Sequence, residues 1–128
     1  MIALLDTHAF IWMDSDPARV SPTVLAYLND PDCTVFLSLV TVWEIAIKLG
    51  TGKLAIRAPL RDLIDESLFQ TPLQLLPLRV EHACTLKGLP PIHKDPFDRM
   101  LVAQALVEDA VLLTTDPVIR RYPVRTDW

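Results

Sequence analysis

The sequence contains only two cysteines and has no long hydrophobic run. Cys33 and Cys84 lack the paired spacing of a zinc site and are too few for a disulfide scaffold, so we expect two buried free thiols. No apolar stretch approaches the roughly 20 residues that a transmembrane helix requires. The first residues carry no basic region and reach Asp6 before an apolar signal core is complete. From these absences we expect a cytoplasmic protein with no membrane partner.

Acidic residues outnumber basic ones, 16 against 12, which gives a net charge of −4. A protein that binds nucleic acid by bulk attraction is expected to be basic instead. Nucleic acid bound here would therefore need a local basic surface, or carboxylates whose charge is offset by a metal.

The length and the apolar content favour one compact globular domain. The 128 residues are 51% apolar, which is enough for a conventional core and excludes intrinsic disorder. A chain of this length usually forms a single domain, and no repeat, low-complexity tract or linker interrupts it. We therefore expect one domain over residues 1–128.

Short apolar runs alternate with stretches of helical spacing along the whole chain. Strands that are apolar throughout are typical of a parallel sheet covered on both faces. The sequence therefore predicts an α/β fold, a parallel β-sheet flanked by helices on both faces. The predicted strands are 2–5, 34–38, 73–78 (an edge strand), 111–114 and 124–126, and the predicted helices are about 8–13, 22–29, 41–49 (closed by Gly50), 59–69, 80–86 and 96–108.

Four acidic residues stand at or near the predicted strand ends. Asp6 and Asp116 follow strands, Glu44 lies on a helix, and Asp98 lies in the first turn of another helix. Each has an ordinary explanation, because aspartates cap helices and Glu44 stands four residues before Lys48, the favourable order for a surface ion pair.

A parallel sheet nevertheless brings the carboxyl ends of its strands to one edge, where ligands bind. Two carboxylates about 5 Å apart repel by roughly 3 kcal/mol at an effective dielectric near 20, so convergence requires a cation or a shared proton. Oxygen donors without soft ligands favour Mg²⁺ or Mn²⁺. Such a site is suited to phosphodiester hydrolysis.

Four segments of the chain resemble, in order, those of PIN-domain ribonucleases, specifically the VapC toxins of bacterial type II toxin–antitoxin pairs. A short piece such as a strand followed by Asp-Thr is a weak signal and the third segment is the most distinctive, but four segments in order over the whole chain are a strong signal. They are Leu4-Leu-Asp-Thr-His8, Ser38-Leu-Val-Thr-Val-Trp-Glu-Ile45, Asp95-Pro-Phe-Asp-Arg-Met-Leu-Val-Ala-Gln-Ala105 and Leu113-Thr-Thr-Asp116.

The resemblance implies the three-layer PIN-like fold and an endoribonuclease that is dependent on Mg²⁺ or Mn²⁺. It implies that Asp6, Glu44, Asp98 and Asp116 hold the metal and position the attacking water. It also implies a homodimer and a cognate VapB-type antitoxin. The third acid is assigned to Asp98, since it stands eighteen residues before the last acid as in the family, which leaves Asp95 as a helix cap or a supporting partner.

Several further side chains are candidates for secondary roles. The hydroxyls of Thr7, Thr41 and Thr115 can orient the carboxylates, although hydroxyls at such positions usually serve turns and caps. His8 and His93 are close in sequence to acids, but a metal role is less expected than simple packing.

The ordinary interpretation of the basic residues is that they are solvated charges on the protein surface. As a hypothesis, Lys48, Lys94 and Arg99 contact RNA phosphates near the metal. Trp12 and Trp43 lie in apolar helical segments, which favours core or dimer surface over base stacking.

Two other functions compete with the ribonuclease. A catalytically silent PIN module that binds RNA or protein as a scaffold would be favoured by loss of an acid, but all four are present. A receiver-like signalling domain would require an acid pair after the first strand and a late lysine, and the sequence fits neither requirement.

Overall fold

The computed structural model describes all 128 residues, in which helices alternate with the strands of a five-stranded parallel sheet. The predicted α/β architecture is confirmed, and most predicted boundaries lie within two residues of the observed ones. The strands are β1 (Ile2–Leu5), β2 (Thr34–Ser38), β3 (Gln74–Leu76), β4 (Val111–Leu113) and β5 (Thr126–Asp127), and the helices are α1 (Thr7–Ser15), α2 (Pro22–Asn29), α3 (Leu39–Gly50), α4 (Leu60–Gln70), α5 (Val80–Gly88) and α6 (Pro96–Val107).

The strand order is β3-β2-β1-β4-β5, with every neighbouring pair parallel. The central strand β1 is covered on both faces, because alternate side chains of a strand point to opposite sides. Ala3 and Leu5 pack into one hydrophobic cluster with side chains of α1, α2 and α4. Leu4 packs into a second cluster, with Leu101 and Val102 of α6. The sheet is therefore the middle of three layers.

The end of α3 differs from the predicted one. The helix continues through Gly50, and the residue with a positive φ is Gly52, at 72°. The N–H of Gly52 donates to the carbonyl of Leu49 at 3.3 Å, and that of Lys53 to the carbonyl of Lys48 at 2.9 Å. This is the bonding of a Schellman motif, which requires a left-handed residue after the helix and so places the terminating glycine at Gly52.

The expectation of two buried thiols is wrong. Cys33 is half-buried, and Cys84 is exposed on α5. No helix in the structure combines the length and the apolar character that crossing a bilayer would require.

Candidate active site

The carboxyl ends of the neighbouring strands β1 and β4 lie side by side at the point where the strand order of the sheet reverses. From β1 the chain moves outward to β3 on one side, and it later places β4 and β5 on the other. Ligands of open parallel sheets bind at such a switch point. Leu5 is paired with Leu113, so the residues that follow them, Asp6 and Thr114, become neighbours.

Asp6 is almost completely buried at this edge, with 3% of its surface exposed. Its Oδ1 accepts the N–H of Ala9 at 2.7 Å, which caps α1, and its Oδ2 accepts the hydroxyl of Thr114. Burial raises the pKa of Asp6, while these two hydrogen bonds oppose the rise. The carboxylate of Asp6 therefore caps α1 and is at the same time a candidate metal ligand.

Asp116 is held on the other side of Thr114. Its N–H donates to Thr114 Oγ1 at 3.0 Å, and its Oδ1 accepts the N–H of Val118 at 2.8 Å. Its Oδ2 lies 2.9 Å from Nε2 of His93. Burial works against the charged form, but the hydrogen bonds from His93 and Val118 hold the pKa of Asp116 below its usual value. This carboxylate is therefore ionised at neutral pH.

The two aspartates that begin α6 have different environments. Asp95 Oδ1 accepts the N–H groups of Phe97 and Asp98, at 2.8 and 3.3 Å, and so caps the helix. Asp98 instead points its Oδ2 to within 3.2 Å of His93 Nε2. Burial, followed by the negative charges of Asp95 and Glu44, raises the pKa of Asp98 to about 7. Near neutral pH, Asp98 is therefore poised between its two protonation states.

Glu44 is buried on α3, with 2% of its surface exposed. It accepts the hydroxyl of Thr7 at 2.7 Å and the ammonium of Lys48 at 2.6 Å. The Thr41 hydroxyl lies 3.1 Å from that of Thr7. The hydrogen bond to Glu44 raises the pKa of Lys48. The ion pair expected from the spacing of Glu44 and Lys48 is therefore present, but on a buried carboxylate rather than on the surface.

The four predicted acids are brought together only in part. Ligand atoms of Asp98, Asp116 and His93 all lie within 4.8 Å of one another. Asp6 and Glu44 are not in that group, although the negative charge of each contributes to the raised pKa of Asp98. The convergence that requires a cation or a shared proton is thus centred on Asp98 and Asp116.

The supporting hydroxyl near the last acid is not the predicted one. Thr115 is exposed, whereas Thr114 is fully buried and bonds both Asp6 and the backbone of Asp116. Neighbouring residues of an extended chain point to opposite sides, and it is Thr114 that faces the site. The sequence marked this residue only as the end of an apolar run.

The three basic side chains predicted to contact RNA differ in whether they already have a partner within the chain. Lys48 is paired with Glu44, and Nη2 of Arg99 donates to the carbonyl of Leu89 at 3.2 Å. Lys94 is exposed and forms no ion pair. Of the three, Lys94 is therefore the one whose charge has no partner within the chain, and it directly precedes Asp95 in the sequence.

His93 has a larger place in the site than its sequence position indicates. It is separated from Asp116 by 23 residues, and only the packing of the loop before α6 against the loop after β4 brings them together. Its position two residues before the cap of α6 was the one available signal.

The donor chemistry fits a divalent cation with a preference for oxygen ligands. Asp98 and Asp116 present carboxylate oxygens to a common space, and no thiol lies in the cluster. A cation there would favour the charged form of Asp98 and so oppose the burial and the neighbouring negative charges that raise its pKa. Carboxylates without soft ligands favour Mg²⁺ or Mn²⁺.

The chain matches a known protein family and is similar in fold to several solved structures. A family model described as the PIN domain matches residues 3–124. Among solved structures, the chain is similar to VapBC2 from Rickettsia felis bound to a DNA fragment from its promoter, with a TM-score of 0.74, 16% identity, and coverage of 99% of this chain and 98% of that one. It is also similar to DNA-bound VapBC from Salmonella typhimurium (TM-score 0.67, 20% identity, 99% and 98% covered) and to FitAcB from Neisseria gonorrhoeae (0.61, 24%, 98% and 96%). Below 25% identity, these likenesses show the shared fold. No match was found among curated proteins.

Proposed function

We propose a metal-dependent endoribonuclease function for this chain, which belongs to the PIN-domain family. It acts as a single domain over residues 1–128 and is the toxin of a type II toxin–antitoxin pair. The observation that carries the proposal is the convergence of Asp98 and Asp116 at the switch point of the sheet. The family membership supports a hydrolase of the nuclease class.

Asp98 and Asp116 would hold Mg²⁺ or Mn²⁺, with Asp6 and Glu44 completing the acidic surroundings. When bound, such a cation supplies Lewis-acid polarisation of a phosphoryl oxygen and lowers the pKa of water. The chain's own contribution is to hold the acids rigidly, because Thr114 fixes Asp6 and Thr7 fixes Glu44. Asp98, with a pKa of about 7, would give up its proton when the cation binds.

RNA would be held by local positive charge, since the chain as a whole is acidic. Lys94 immediately precedes the cap of α6 and carries a free, exposed ammonium. Lys48 and Arg99, the other two proposed phosphate contacts, already have partners in the chain and would have to exchange them for phosphate. Lys94 is therefore expected to contribute most to RNA binding.

Lys94→Ala should weaken RNA binding severalfold and leave the fold unchanged. One lost contact to a single strand should reduce the slope of log K against log salt by about 0.7. Binding is measured by fluorescence anisotropy in EDTA, so that no RNA is cut. Lys87→Ala, which removes an exposed charge on α5, is the matched control. Equal binding by both variants and the wild type would rule out the contact.

A second copy of the chain and a VapB-type antitoxin are the proposed protein partners. Leu39, Trp43 and Ile47 follow one another at helical spacing along α3 and are 40%, 57% and 42% exposed. An exposed apolar stripe of this kind is typical of an interaction surface. The similar structures from Rickettsia felis and Salmonella typhimurium are VapBC complexes, which supports an antitoxin partner. A gene for a small DNA-binding protein next to this one would identify the antitoxin.

Cleavage of total RNA tests the proposed function. The wild type and Asp95→Asn should cut in the presence of Mn²⁺ or Mg²⁺, whereas Asp98→Asn should lose at least about 100-fold, and EDTA should abolish cleavage. Both asparagine variants keep the side-chain shape, so the comparison isolates the charge of Asp98. A folded, antitoxin-free protein that binds RNA and cuts nothing would favour the silent scaffold instead.

A further inference from the structure

We propose that His93 is a positioning residue that orients the carboxylate of Asp116 beside that of Asp98 through its Nε2–H group. This inference rests on the proposed metal-dependent function and assigns to His93 the task of preparing the site for the cation.

One hydrogen bond determines which nitrogen of His93 carries the proton. Nδ1 lies 3.0 Å from the backbone nitrogen of Asp95, which can only donate. Nδ1 is therefore the acceptor, and in the neutral ring the proton is on Nε2. That nitrogen lies 2.9 Å from Asp116 Oδ2 and 3.2 Å from Asp98 Oδ2. Nε2–H is therefore the donor to Asp116, and it also places its positive edge next to Asp98 rather than acting as a metal ligand.

The ring is fixed from several sides. The backbone N–H of His93 donates to the hydroxyl of Tyr122 at 2.8 Å, and Tyr122 is buried with 3% of its surface exposed. Asp95, which holds Nδ1, is itself fixed as the cap of α6. The side chain of His93 is 15% exposed. The imidazole therefore has one orientation, and it joins the start of α6 to the loop after β4.

This arrangement is compatible with a cation on the same carboxylates. An ionised carboxylate has about four lone-pair sites, so Asp116 can accept Nε2–H and still bind a cation through another site. Side chains that hydrogen-bond to metal ligands fix their orientation, and their loss typically costs 10–100-fold in metal affinity. His93 also supplies a partial positive charge between two acids that otherwise repel each other.

Two substitutions separate the two ends of the ring. His93→Asn places an amide oxygen near Nδ1, which retains an acceptor for the N–H of Asp95 and removes the donor to Asp116. His93→Gln places an amide nitrogen near Nε2, which retains the donor. A role limited to supporting the loop predicts that Asn is the better replacement, whereas the positioning role predicts Gln.

The test is calorimetric titration of Mn²⁺ into each protein without RNA, above the pKa of Asp98. His93→Asn should bind Mn²⁺ about 10–100-fold more weakly than the wild type, and His93→Gln within a few fold of it. Melting temperatures of the metal-free variants show whether both are folded. Wild-type affinity in His93→Asn, or an equal loss in both variants, would overturn the proposal.

A direct check is ¹⁵N NMR of the imidazole in the metal-free protein. It should show the proton on Nε2, and a proton on Nδ1 would overturn the positioning role even in a protein that binds Mn²⁺ well. A wild type that binds Mn²⁺ with the expected ranking of variants but cuts no RNA would refute the nuclease and leave the role of His93 intact. A wild type that does not bind Mn²⁺ would refute the role of His93.

Discussion

Above neutral pH, the metal-free Asp98→Asn protein should be more stable than the metal-free wild type. The same variant is expected to lose RNA cleavage. Burial and the charges of Asp95 and Glu44 raise the pKa of Asp98 to about 7, against about 3.9 in an unfolded chain. The side chain is 16% exposed, so solvent screens this repulsion only weakly. The ionised wild type therefore holds a buried charge that also faces other negative charges, an unfavourable state that the neutral amide avoids.

The sign of the pH dependence follows from proton binding. Between about pH 4 and 7 the folded wild type holds a proton on Asp98 that the unfolded chain has released, so its stability falls as the pH rises. A shift of about three units corresponds to at most about 4 kcal/mol, and we expect a gain of about 2–4 kcal/mol for Asp98→Asn at pH 8. In this size range, that is on the order of 10 °C in melting temperature.

The measurement is thermal unfolding of both proteins in EDTA at about pH 5 and pH 8. The advantage of Asp98→Asn should be about a third as large at the lower pH as at the higher one. Asp95→Asn is the matched control, because it keeps a good helix cap and removes a neighbouring charge, so its gain should be smaller. If Asp98→Asn is no more stable than the wild type at pH 8, ionisation of Asp98 does not destabilise the fold.

Lys48→Met should destabilise the metal-free protein by about 2–3 kcal/mol. The carboxylate of Glu44 is buried, and Lys48 is its one cationic partner, at 2.6 Å. Removing one member of a fully buried ion pair costs roughly 3–5 kcal/mol, because the other charge is left uncompensated. The side chain of Lys48 is 32% exposed, which places the expected loss below that range. Methionine keeps the apolar stem, so the change isolates the charge.

Urea unfolding in EDTA measures this loss. Adding Glu44→Gln to Lys48→Met should recover much of it, because the orphaned carboxylate is then absent. Lys53→Met, which removes an exposed charge just after α3, should leave stability within about 0.5 kcal/mol of the wild type. Equal stability of Lys48→Met and Lys53→Met would show that the buried pair contributes nothing.

The parts of the fold and site that follow from local chemistry could be predicted from the sequence. A continuous apolar run ending at Asp6 identifies a buried strand and the edge at which it ends. Asp95, followed by proline, identifies the cap of α6, whereas the choice of Asp98 as the acid of the site came from the resemblance to PIN domains. The spacing of Glu44 and Lys48 gives their ion pair.

The features that were not predicted depend on tertiary contacts, or on a choice between positions one or two residues apart. The pairing of His93 with Asp116 requires two distant loops to meet, which no local pattern encodes. The choice between Thr114 and Thr115 depends on which residue of an extended segment faces inward. The predicted glycine at the end of α3 is Gly50, whereas the left-handed conformation lies two residues later, at Gly52. Either glycine can end a helix, so propensity alone does not choose between them.

An end-labelled RNA is incubated with protein that has first been stripped of metal with EDTA, and the new RNA ends are then identified. Hydrolysis by water leaves a phosphate on one end and a free hydroxyl on the other, whereas attack by the RNA's own 2′-hydroxyl leaves a cyclic phosphate. The stripped wild type should be inactive, should regain cleavage when Mn²⁺ is added, and should produce no cyclic phosphate, while Asp98→Asn should stay inactive at the same Mn²⁺ concentration. Cleavage that persists in EDTA, or that yields cyclic phosphate ends, would contradict a carboxylate-held cation as the basis of the reaction.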